Sequence, residues 1–138
     1  MIQIFGTLKN FDVKTAQRWF AERRISVQFV DLKEKEMSRG EFDSVVDAIA
    51  RETGSKSDAI EKMTDKNARD YASIAYLDDS EKADKLFENQ LKLLKQPICR
   101  NGKNSATVGL EQKVWETWKE KTNALRLTIQ NRGRNEQP

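Results

Sequence analysis

No histidine occurs in the 138 residues, and there is a single cysteine, Cys99. The first absence removes the commonest general base and metal ligand, so zinc sites and histidine-assisted nucleophiles are excluded and no metal is expected. The second excludes an intramolecular disulfide. No apolar run approaches the ~20 residues of a membrane span. The opening "MIQIFG" lacks a basic region leading into an apolar stretch and a small-residue cleavage site. No signal peptide is read from it, and the expected location is the cytoplasm, with no membrane partner. There are no internal repeats and no low-complexity tracts.

What is present is charge. Charged residues make up 34% of the chain and hydrophobic ones 37%, the balance of a soluble domain whose length suits one core. The net charge of +3 suggests nucleic acid only until it is located. Residues 119–138 hold Lys119, Lys121, Arg126, Arg132 and Arg134 against Glu120 and Glu136, which accounts for the whole excess. The other 118 residues are neutral, and no aromatics are interleaved with the tail's charges. Nucleic-acid binding is therefore not expected beyond weak attraction to the tail.

Along the chain, Ile2, Ile4 and Phe5 form a short strand. Val13, Ala16, Trp19 and Phe20 come next at helical spacing, and Ile25, Val27 and Phe29 alternate as a strand does. This is a βαβ unit, whose short crossover lays two parallel strands side by side. "SRGE" then offers a capping box, with Ser38 as cap and Glu41 reaching back. Phe42, Val45, Val46 and Ile49 form that helix's apolar face, and Gly54 is its stop. Short helical pieces are read around Ala59–Met63 and Ala68–Ala75. From Ser80, Ala83, Leu86, Phe87, Leu91 and Leu94 form one stripe up to Pro97. Asn101-Gly102 marks a hairpin. Val114, Trp115 and Trp118 give the closing helix its apolar face, with Leu125, Leu127 and Ile129 extending it. The residues after Gln130, "NRGRNEQP", read as disordered.

A strand–helix–strand half, a helical insert and a strand–hairpin–helix half beginning at a proline is the layout of a thioredoxin-like domain. The expected fold is α/β, a mixed four-stranded sheet with an inserted helical block. Residues 1–118 form the domain, with the insert at about 38–95, and 119–138 form a basic helix extension and tail. The segments "MIQIFGTLKNFDVKTAQRWF" and "QPICRNGKNSATVGLEQKVWETW" resemble the two ends of the arsenate reductase/Spx family, which includes glutaredoxin-linked reductases and the Spx transcription regulators. The resemblance covers about residues 1–118 and is weak in the helical middle.

It implies a nucleophilic cysteine at the mouth of the first helix. Counting back from Ala16 and Trp19 puts that position at Asn10, or at Phe11 with the register shifted by one, and neither side chain can be a thiolate. Spx-type members carry a second cysteine three residues on, where this chain has Val13. The arginine that usually precedes the reductases' proline is here Gln96. Lys9 and Lys14 still flank the helix mouth. Asn10 is a good helix N-cap in its own right. Cys99, in the strand after Pro97, reads as an inert core residue, with Arg100 on the opposite strand face.

The resemblance also implies a cis Gln96–Pro97 bond whose neighbouring backbone pairs with an extended peptide or with glutathione. A groove between loop 6–10 and Gln96–Ile98 then holds a segment of a partner. Two readings stand at this point. One is a redox-inactive, Spx-like protein that acts by binding a protein or peptide, as Spx regulators dock on RNA polymerase, without a cofactor. The other is a glutathione- or glutaredoxin-linked reductase with a non-standard site. A reductase needs a sulfur that can be attacked and regenerated, and this favours the first.

Overall fold

The computed structural model describes residues 1–135. The elements are β1 (Ile2–Gly6), α1 (Phe11–Glu22), β2 (Val27–Asp31), α2 (Arg39–Thr53), α3 (Lys56–Met63), a 3-10 turn (Tyr71–Ser73), α4 (Asp79–Glu88), α5 (Gln90–Leu93), β3 (Ile98–Asn101), β4 (Ser105–Val108) and α6 (Gln112–Asn135). The strands form one mixed sheet in the order β2-β1-β3-β4. β1 runs parallel to β2 and antiparallel to β3, which pairs antiparallel with β4. The expected α/β sheet with a helical block between β2 and β3 is present. No described helix is long and apolar enough to cross a membrane.

Alternation along the strands divides the core in two. Phe5, Ile98, Ala106 and Val108 face one way, against Phe42, Val45 and Ile49 of α2 and the apolar residues of the insert. Ile2, Ile4 and Cys99 face the other, against Ala16, Trp19 and Phe20 of α1 and Trp115 and Trp118 of α6. The aromatic side is knit edge to face, with Trp19 and Trp115 centroids 5.5 Å apart. The indoles of α6 are satisfied: Trp115 Nε1 donates to Thr107 Oγ1 at 2.9 Å and Trp118 Nε1 to Ser105 Oγ at 3.0 Å.

Local chemistry sets the ends of the helices. Ser38 and Glu41 complete the capping box, and Gly54 ends α2 in the left-handed region at φ 100°. Gly102 turns the hairpin at φ 65°, with Asn101 the last residue of β3.

Five expectations need correction. Ile25 is buried but precedes β2, because its N–H bonds back to Phe20 C=O to close α1. The piece read at 68–75 contains only the one-turn 3-10 segment. The stripe from Ser80 is broken at Asn89, whose backbone N–H and side-chain amide both donate to Lys85 C=O and end α4. Gln90 is thereby turned inward while Leu91 is 40% exposed. Leu125 and Leu127 are also exposed, because α6 runs on past the sheet that Trp115 and Trp118 cover; the side chain of Ile129 lies outside the described ones. Finally, residues 131–135 are helical, and the remainder of the tail, 136–138, lies outside the described residues.

Candidate functional site

The loop from β1 to α1 and the segment before β3 meet at the mouth of α1. Asn10, with extended backbone (φ −78°, ψ 126°), caps the helix, its Oδ1 accepting the Val13 N–H at 3.1 Å. The loop is tightened by Asn10 N–H to Thr7 C=O, 3.1 Å. Thus the position that the resemblance assigns to the nucleophile holds a side chain already engaged with the first turn. Val13, where a second cysteine would stand, is fully buried. It presses so closely on Gly6 that a Cβ there would collide with Val13 Cγ2 and lie 3.2 Å from Gln96 Oε1. Any residue larger than glycine at position 6 would displace one of them.

Gln96 fills the place where the resemblance expects an arginine, and its polarity is the reverse. Its Oε1 accepts from the Thr7 backbone N–H at 2.8 Å and from Thr7 Oγ1 at 3.2 Å. An acceptor, turned inward, thus ties the pre-proline segment to the loop. The Gln96–Pro97 bond is cis, and Pro97 C=O accepts the Gly109 N–H at 2.8 Å. The backbone N–H and C=O of Gln96 itself make no hydrogen bond among the described residues. Ile98 differs: it is fully buried and paired in the sheet with both Phe5 and Val108. Pro97 is buried as well, so the half-buried Gln96 alone forms the rim on this side.

Lys9 and Lys14 are exposed and form no ion pair among the described residues. Beside them stand two apolar residues that the sequence reading does not single out for this surface, Leu8 at 54% and Phe11 at 75% exposure. Phe11 carries a signal, since it falls outside the stripe of Val13, Ala16, Trp19 and Phe20 and so cannot face the core. Thr7 has no such signal, because its partner is 89 residues away.

Cys99 does not reach this rim. It is completely buried among the aromatic residues on the α1 side of the sheet, opposite Ile4 and Thr107. Burial pushes its thiol up to about 12, with the Thr107 hydroxyl opposing that shift. At neutral pH it is a protonated apolar side chain. Arg100 lies on the other face, donating to Gln3 Oε1 at 3.1 Å and Ser44 Oγ at 3.3 Å. Among the described residues no group of histidine, cysteine and acidic side chains is arranged to hold a metal ion.

A protein related to the ArsC family from Bacteroides fragilis superposes with a TM-score of 0.69 at 16% identity, covering 84% of this chain and 95% of that one. Arsenate reductase from Vibrio cholerae gives 0.64 at 16% identity, covering 78% and 87%. An arsenate reductase (ArsC) related protein from Brucella melitensis gives 0.60 at 14%, covering 85% and 92%. The chain has the thioredoxin-like fold of ArsC-type proteins. At these identities the likeness is one of architecture, and fold alone does not carry an activity. No family model matches the sequence, and no curated protein does.

Proposed function

We propose that this protein is a redox-inactive relative of the ArsC/Spx proteins that works by holding an extended segment of a protein partner at the mouth of α1. The observation that carries the reading is that the positions the resemblance assigns to catalysis are engaged in structural interactions. Asn10 caps α1 and Gln96 accepts from Thr7, while the thiol of Cys99 is buried and protonated. Thiol-dependent reduction needs an accessible thiolate, and these groups supply none. What the mouth does offer is a backbone N–H and C=O at Gln96 without a partner among the described residues, with Leu8 and Phe11 as apolar surface and Lys9 and Lys14 as cations. Strand-like pairing of a peptide with such a backbone edge is a standard mode of recognition. Transcription-associated docking of the Spx kind is one use of that mode.

Two measurements test it. Purified protein supplied with glutathione, glutaredoxin and arsenate should show no turnover, and Cys99→Ser should leave that unchanged. Peptides selected from a displayed library against the protein should lose binding on Phe11→Glu or Lys14→Glu and keep it on Cys99→Ser. Arsenate reduction by the parent that Cys99→Ser abolishes would establish the reductase reading instead, with Cys99 as the nucleophile and glutathione as reductant.

A further inference from the structure

The second half of α6 carries the strongest unexplained feature. The helix is 24 residues long, about 36 Å at 1.5 Å per residue, yet the core uses only its start, at Val114, Trp115 and Trp118. From Asn123 onward the described side chains are exposed, Leu125 at 62% and Leu127 at 60%. A helical stretch as short as 123–135 is marginal in water on propensity alone. Packing along one of its faces would stabilise it.

Spacing shows which face that is. Trp115, Trp118, Thr122, Leu125 and Ile129 recur at intervals of three, four, three and four residues, the a and d positions of a heptad seam. Trp115 and Trp118 are buried within the domain. Thr122 is half-buried, its Oγ1 donating back to Trp118 C=O at 2.9 Å. Leu125 is the first apolar seam residue to stand in solvent, and the sequence places Ile129 one turn further on. Leu127 falls on the opposite side of the helix and takes no part.

Charge selects the occupant of the seam. The positions that flank it along residues 119–129 are Lys119, Lys121, Arg126 and Thr128, with no carboxylate among them. Lys119 is half-buried and Lys121 exposed, and neither is in an ion pair among the described residues. Glu120, the one acidic residue in 119–135, lies on the outer side with Leu127. Flanking charges decide which helices pair. A second copy of α6, in either direction, would set cations against cations. A helix with acidic flanks would set carboxylates against all three. Nucleic acid would answer the charge but not the apolar seam, and residues 119–135 contain no aromatic side chain on which bases could stack.

We propose that the distal half of α6 docks an acidic helix of a partner protein, the two forming a short heterotypic coiled coil along Thr122, Leu125 and Ile129. Trp115 bonds to Thr107 and Trp118 to Ser105, so α6 runs back along β4 toward the end of the sheet opposite Gln96. This surface is therefore distinct from the mouth of α1, and both can be occupied at once.

The probe is a fluorescein-labelled synthetic peptide of about three heptads, with leucine and isoleucine in the seam and glutamate on both flanks. Its counterpart carries lysine on the flanks instead. Anisotropy is read with the full chain at up to about 100 μM, a hundredfold above a micromolar dissociation constant. The glutamate peptide should bind about tenfold or more tightly than the lysine peptide, and added salt should weaken it. Leu125→Asp, at an exposed position, should abolish binding while leaving the thermal midpoint of the domain unchanged. Lys121→Glu combined with Arg126→Glu should reverse the preference between the peptides. No binding of the glutamate peptide, equal binding of the two, or indifference to Leu125→Asp would overturn the proposal. A parent that sediments as a dimer lost on Leu125→Asp would assign the seam to a second copy, and tighter binding of a labelled DNA duplex than of either peptide would assign the charge to nucleic acid. Either result also overturns it.

Discussion

Gln96 Oε1 accepts two hydrogen bonds from Thr7, at 2.8 Å from the backbone N–H and 3.2 Å from the hydroxyl. Thr7 is only 8% exposed, so water does not readily replace this acceptor. Gln96→Ala should therefore cost about 1–3 kcal/mol, the penalty of a buried donor left without a partner. Gln96→Arg should cost a similar amount, since a guanidinium has donors only. Gln96→Glu keeps the acceptor and should stay near parental stability at neutral pH. Urea midpoints for the three variants decide it. Equal losses for Glu and Arg would show that the acceptor facing Thr7 is not what sets the stability.

Gln90 is the insert's counterpart to this contact. Its amide bridges both backbone groups of Met37, Nε2 donating to the C=O at 2.9 Å and Oε1 accepting the N–H at 2.7 Å. Gln90→Leu fills the same space but strands a buried donor and a buried acceptor. A loss of roughly 2–6 kcal/mol is expected, from about 1–3 kcal/mol for each of the two stranded groups. Thermal unfolding measures it, and a neutral result would mean that the loop before α2 can detach from α5 without consequence.

These two glutamines also mark where the sequence stops being legible. The capping box of Ser38 and Glu41, the Asn10 cap and the Gly102 turn are written within three or four residues, and each is found in the structure. The strand–helix alternation is enough to expect the sheet. Gln90 and Gln96 bond to residues 53 and 89 positions away, and no local pattern distinguishes them from surface amides. The break at Asn89 is of the same kind. Leu91 and Leu94 continue a helical stripe on paper, but Asn89 closes α4 on Lys85 and re-aims the turn of α5 after it. Periodicity assigns Leu125 and Leu127 to the core, and only the extent of the sheet shows that nothing lies beneath them.

Cys99 predicts a pH dependence with a definite sign. Its folded value is raised to about 12 from an ordinary 9.0, so the folded state holds the proton more tightly than the unfolded chain. The associated stability is fully present below pH 9. It is lost as pH rises toward 12, at up to about 1.4 kcal/mol per pH unit for one proton. Lysines and tyrosines titrate in the same range, so the measurement is the difference between the parent and Cys99→Ala in chemical unfolding from about pH 8 to 11. Curves that stay parallel would mean that the thiol is not held protonated by the fold. The same burial predicts no alkylation of native protein at about pH 8 and complete alkylation in denaturant.

The mouth of α1 can be tested by restoring what it lacks. Asn10→Cys places a thiol where Asn10 Oδ1 now accepts the Val13 N–H, at a helix N-terminus flanked by the exposed Lys9 and Lys14. Unsatisfied N–H groups and both cations favour a thiolate there, and Asp12 in the first turn opposes it only in part. The new cysteine should titrate below the free value of about 8.5. Because its folded pKa is then depressed, the variant gains stability as pH rises from the folded value toward the unfolded one. Alkylation rate against pH reads the titration directly, and Cys99 stays silent. Arsenate turnover should nevertheless remain weak. Gln96 presents its acceptor inward to Thr7, and lysines cannot reproduce the planar fork that an arginine offers an oxyanion. An alkylation midpoint at or above about 8.5 would show that the mouth is not electropositive, and the case for a cation-flanked binding site there would fail with it.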